Sequence, residues 1–111
     1  MTNYTLHPQL EKDSELVIEL VLCSVRLIND ANYPWLILVP RVANVSDVID
    51  LNDAQQQILW QESALVSRAL KYLFTPDKLN IAALGNMVPQ LHLHHIVRYQ
   101  NDVSAIEAPY Y

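Results

Sequence analysis

The sequence predicts an α+β domain, a largely antiparallel sheet with one long helix packed on one face. Three observations carry this. Apolar runs at residues 16–28 and 35–39 flank a cluster of turn formers at residues 29–34, which reads as a hairpin. Residues 53–74 repeat apolar side chains at spacings of three and four. Two further strand-like segments, 78–84 and 91–99, follow that helix. Strands, one helix, then strands is an α+β order.

Each element has a local warrant. Residues 7–13 form a short helix with Pro8 in its first turn, where a missing N–H costs nothing. Residues 16–28 are rich in Val, Ile and Leu and make one or two strands. Trp35 to Val39 is a strand stopped by Pro40. Residues 42–50 are loop-like, and Asp50 or Asn52 can cap the next helix. Its stripe is Ile58, Leu59, Leu65, Val66, Ala69, Leu70 and Leu73, and Thr75-Pro76-Asp77 ends it. The next strand leaves through Gly85-Asn86.

Composition narrows the function. The 111 residues fit one domain, 1–111, and 51% hydrophobic content provides a core. Gly85 is the only glycine, which excludes GxGxxG and Walker-type phosphate loops. A formal charge of -5 argues against nonspecific nucleic-acid binding but not against one small anionic ligand. Cys23 stands alone, so it can form neither an intrachain disulfide nor a Cys-rich zinc site, and it reads as a small core residue. The start lacks a signal pattern and no apolar run approaches a membrane span. The expectation is a soluble, cytoplasmic protein without membrane contact.

Chemistry concentrates in His92-Leu93-His94-His95, which holds three of the four histidines. On a strand, alternation puts Gln90, His92 and His94 on one face and His95 on the other. His95 is then expected against the helix or at an interface. Three readings of the row remain open. It could be a hydrogen-bonded surface strand, or a nucleophile and acid–base pair working near neutral pH. It could also be half of a zinc site, although zinc takes three or four protein ligands and no further set accompanies these two. His7 receives no role.

Residues 85–98, Gly-Asn-Met-Val-Pro-Gln-Leu-His-Leu-His-His-Ile-Val-Arg, resemble the signature of the histidine-triad (HIT) family, three alternating histidines separated by apolar residues. Here the first position is Gln90, the second His92 and the third His94, while His95 stands at an apolar position of the pattern. The stretch Leu27-Ile28-Asn29-Asp30, followed by residues 33–41, is similar to the family's nucleotide-side hairpin. The likeness spans about residues 16–99 and is strongest to short bacterial members with Gln at the first position. Their usual Trp-Pro tail is not found in residues 102–111.

The resemblance implies a HIT-like fold, often paired as a two-fold homodimer, and action on the α-phosphate of a purine nucleotide or nucleotide conjugate. It assigns His92 as the nucleophile that becomes nucleotidylated. His94 would bind a phosphate oxygen, and Gln90 would replace a leaving-group histidine with an amide that cannot transfer a proton. Asn86 would contact phosphate and Asn29 the ribose. Arg98 could add positive potential at the nucleotide, although a solvated or ion-paired Arg is the favoured reading. Trp60, Tyr72 and Phe74 would be interface anchors or core residues. No metal or cofactor is implied. The resulting function is a hydrolase or nucleotidyltransferase, with a nucleotide-binding module of little or no turnover as the alternative.

Overall fold

The computed structural model describes residues 3–102. The elements run α1 (Pro8–Asp13), β1 (Ser14–Glu19), β2 (Cys23–Ile28), β3 (Trp35–Pro40), α2 (Asp53–Phe74), β4 (Lys78–Ala83) and β5 (Leu93–Arg98), with a 3-10 turn at Val48–Asp50 before α2. They form one five-stranded sheet in the order β1-β2-β3-β5-β4. Every neighbouring pair is antiparallel. This is the α+β architecture expected from the strand, helix, strand order. The chain beyond β3 crosses through α2 to the far edge, and β5 then inserts between β3 and β4.

Residues 16–28 divide into two strands, so the chain opens with two successive hairpins. The division has a physical cause in the turn between β1 and β2. Glu62, on α2, accepts the backbone N–H groups of Leu22 and Cys23 at 3.0 and 2.9 Å. Arg41 donates to the carbonyls of Leu20 and Val21 at 2.5 and 3.1 Å. Beyond the Leu20 N–H to Cys23 O bond of 2.8 Å that closes the turn, its polar backbone is satisfied by these side chains from outside the hairpin.

Alternation gives the sheet two apolar faces. On one, Cys23, Val25, Leu38, Leu93 and Val97 pack with Leu59, Val66 and Leu70 of α2. On the other, Ile28, Trp35, Ile37, Val39 and Ile96 pack with Leu10 of α1, and Tyr4 and Leu6 of the N-terminal segment close over them. The sheet thus lies between α2 and a thin N-terminal layer.

Helix α2 begins at a capping box in which Asn52 and Gln55 satisfy each other's backbone N–H groups. It stops at Thr75, which turns left-handed at φ 44°. The buried stripe is narrower than the apolar spacing suggests. Leu59, Glu62, Ser63, Val66 and Leu70 are buried, whereas Leu65 and Leu73 are half or more exposed. Trp60 and Tyr72 are 50% and 88% exposed, so packing in this chain's core does not account for them.

Candidate active site

The histidine segment is reached through a loop that only glycine fits. Gly85 has φ +134°, and a Cβ there would lie 3.2 Å from the carbonyl oxygen of Val88. Val88 and Leu91 are buried, and the Leu91 N–H donates to Val45 O at 3.0 Å. These anchors deliver the motif to β5. The strand starts at Leu93, so His92 stands just before it, and the expected row is not one continuous strand. The bend at Gln90 and the pairing of Leu91 with Val45 end the ladder early.

The two histidines on the N-terminal side of the sheet are held in complementary tautomers. His92 Nδ1 lies 2.7 Å from the carbonyl oxygen of Gln90. A carbonyl only accepts, so Nδ1 carries a proton and, in the neutral ring, Nε2 keeps the lone pair. His94 is set the other way. Trp35 Nε1–H donates to its Nδ1 at 3.0 Å, and an indole can only donate. Neutral His94 therefore carries its proton on Nε2. The rings stand 4.8 Å apart at 67°, and both residues are buried. The two buried Nε2 atoms thus differ: in the neutral rings that of His92 keeps a lone pair and that of His94 keeps an N–H.

His95 points to the opposite face, against α2. Its Nδ1 faces Leu93 O at 3.1 Å and its Nε2 faces Ser63 Oγ at 2.7 Å. The carbonyl fixes Nδ1–H, so Ser63 donates to Nε2. Burial holds the His95 pKa below its ordinary value, against the opposing pull of the Leu93 carbonyl.

Gln90 faces the N-terminal segment. Its Oε1 accepts the His7 backbone N–H at 2.8 Å, and its Nε2 donates to Thr5 O at 2.9 Å. Asn86 and Asn29 are exposed. Asn29 follows β2, its backbone N–H bound to Asp13 O at 2.9 Å. Arg98 takes the ion-paired arrangement. It grips Asp102 with two contacts of 2.8 and 3.0 Å and stacks 4.9 Å above the Tyr33 ring. Six positions beyond His92 on an extended strand, it is roughly 20 Å away. Among the described residues no three His, Cys, Asp or Glu side chains converge as a metal would need. The tail departure at residues 102–111 lies, apart from Asp102, outside the described residues.

Sequence reasoning missed Trp35 as the partner of His94, and Glu62 and Ser63 as buried polar groups. The last two had a signal. They interrupt the α2 stripe at the positions between Leu59 and Val66 where further apolar residues belong. A polar pair on a buried stripe must find partners, and it finds the β1–β2 turn and His95.

Comparison with known proteins identifies the family and the fold. The HIT domain family matches residues 9–101. A histidine triad protein from Bradyrhizobium japonicum is 49% identical, with a TM-score of 0.90 over 97% of this chain and 80% of that one. A histidine triad (HIT) protein from Sinorhizobium meliloti 1021 is 41% identical, with a TM-score of 0.91 over 98% and 80%. One from Marinobacter aquaeolei VT8 is 50% identical, with a TM-score of 0.90 over 97% and 78%. No curated protein matches the chain. With its sheet order, its paired histidines and a match across nearly its whole length, the chain belongs to the histidine-triad (HIT) family.

Proposed function

We propose that the protein is a nucleotidyl hydrolase or nucleotidyltransferase that attacks the α-phosphate of a purine nucleotide or nucleotide conjugate through His92. The observation that carries this reading is the opposed tautomer setting of His92 and His94. His92 Nε2 attacks phosphorus with its lone pair and becomes nucleotidylated as the leaving group departs with its bonding electrons. His94 Nε2–H donates to the phosphoryl oxygen on which charge grows. Water, or another acceptor, then displaces the nucleotide from His92. Asn86 and Asn29 serve phosphate and ribose in this reading. Arg98, bound to Asp102 and distant along β5, acts at most through the field it adds.

Gln90 supports the alternative, a nucleotide-binding module with little turnover. Its amide is tied to backbone at both ends and cannot pass a proton to a leaving group. We further propose that the protein works in the cytoplasm as a two-fold homodimer, with exposed Trp60 and Tyr72 as anchors. No described helix is long and apolar enough to cross a membrane.

Replacing His92 with Ala is the test. Turnover of a nucleotidyl donor should vanish while affinity for the nucleotide monophosphate stays within a few-fold. A wild-type protein that binds nucleotide and never turns over a donor selects the binding module. A fully active His92→Ala protein removes the covalent mechanism.

A further inference from the structure

The ring Nε2 atoms of His92 and His94 are both buried, and the two residues are 0% and 1% exposed. An attacking lone pair must come into contact with phosphorus, so His92 Nε2 cannot react while it is covered. The layer over this face of the sheet is the N-terminal one. Ile37 is the ladder partner of His94, and Trp35 is its hydrogen-bond donor. Both belong to the apolar cluster on which Tyr4 and Leu6 pack. Burial alternates along the segment: Tyr4 and Leu6 are half-buried, whereas Asn3 and Thr5 are exposed. Tyr4 lies near Arg41 and Arg26, whose charges oppose the rise in its pKa that burial causes. Residues 3–7 therefore run as a strap from the β2–β3 side of the sheet to the histidine motif.

At the motif one side chain fastens the strap. Gln90 Oε1 accepts the His7 N–H at 2.8 Å, and Gln90 Nε2 donates to Thr5 O at 2.9 Å. These are the main-chain groups on either side of Leu6. The amide thus pairs with the strap as a peptide group of a neighbouring strand would. A carboxylate has no donor for this task, and an imidazole carries its two nitrogens on diverging sides of the ring. Gln90 also orients His92 through its own carbonyl. We propose that residues 3–7 form a gate over His92 Nε2, that the Gln90 amide is its latch, and that the gate lifts before substrate phosphorus reaches the ring. As a gate on catalysis it rests on the reading of His92 as the nucleophile. Gln90 is then a positioning residue whose side chain closes the site. A gate held shut weakens apparent substrate affinity in proportion to its open fraction. Loss of the latch raises that fraction about tenfold, the effect of losing a pair of neutral hydrogen bonds.

The test reads access to each histidine separately. Diethyl pyrocarbonate acylates a neutral imidazole at its lone-pair nitrogen, and peptide mapping by mass spectrometry locates the product. Rates are measured at pH 7 for the wild type, for Gln90→Leu, which removes both latch bonds, and for Leu6→Ser, which loosens the strap away from the motif. His95, buried on the other face of the sheet, reports global unfolding. N-acetylhistidine gives the rate of a fully open ring. Wild-type His92 should react at least tenfold more slowly than N-acetylhistidine and should speed up about tenfold in each variant, with His95 unmodified throughout. A wild-type His92 as reactive as N-acetylhistidine overturns the gate. So does a His92 unchanged in Leu6→Ser, or one that becomes reactive only together with His95. The same three proteins are then mixed with a nucleoside 5′-phosphorofluoridate, and nucleotidylation of His92 should quicken in parallel with acylation. Acylation that follows the expected pattern with no nucleotide adduct in any of the three overturns the nucleophile reading and leaves the strap as a cover.

Discussion

Replacing Trp35 with Phe isolates the hydrogen bond that fixes His94. The indole is 1% exposed and its N–H lies 3.0 Å from His94 Nδ1. Phenylalanine keeps an aromatic ring in the slot beside Ile37 and Ile96 but has no donor. Withdrawing the indole donor from a buried ring nitrogen costs about 1–3 kcal/mol. Losing the pyrrole half of the bicycle adds about 1–2 kcal/mol of missing packing. Stability should fall by about 2–5 kcal/mol, read from urea unfolding as a lower midpoint at unchanged slope. The proton on His94 is then no longer confined to Nε2. If that N–H stabilises the phosphoryl charge, turnover falls by about tenfold, equivalent to roughly 1.4 kcal/mol. Nitrogen-15 NMR of the imidazoles reads the tautomer directly, and single-turnover kinetics reads the chemistry. The reasoning fails if wild-type His94 carries its proton on Nδ1. It also fails if the variant keeps both the Nε2–H tautomer and the full rate.

Three further outcomes follow from the buried polar groups and the loop. Glu62→Gln leaves one acceptor where two backbone N–H groups need satisfying, so stability should drop by about 1.5–3 kcal/mol in urea titration, with faster hydrogen exchange at Leu22 and Cys23. For His95, the folded pKa lies below the ordinary 6.5, so in that window the unfolded chain binds more protons and stability rises with pH. Its contribution is complete above 6.5 and shrinks as pH falls toward the folded value; His95→Gln should flatten that part of a stability profile measured between pH 5 and 7.5. Gly85→Ala forces a side chain into φ +134° and toward the Val88 carbonyl, and should cost about 1–2 kcal/mol while displacing the His92 ring resonances in NMR.

The elements were readable because each had a local cause. The α2 boundaries follow from Asn52 and from Thr75-Pro76, and the division of the sheet's faces follows from alternation. The opposition of His94 and His95 across β5 has the same origin. Less legible was whatever depends on partners distant in sequence. The Trp35–His94 bond joins β3 to β5 across the sheet register, and no spacing rule within either segment encodes it. The amide of Gln90 turns toward Thr5 and His7, more than eighty residues earlier, because that backbone offers both a donor and an acceptor. An ion-paired Arg98 was the favoured reading of the sequence, and the structure names its partner, Asp102, four residues later.

The covalent role of His92 is the central claim, and intact-mass spectrometry after rapid mixing with a nucleotidyl donor tests it most directly. The account predicts one nucleotidyl group per chain, located on His92 by peptide mapping, lost on continued incubation with water and absent in His92→Ala. Turnover of the donor with no adduct on any histidine, or an adduct that persists unchanged in His92→Ala, would contradict it.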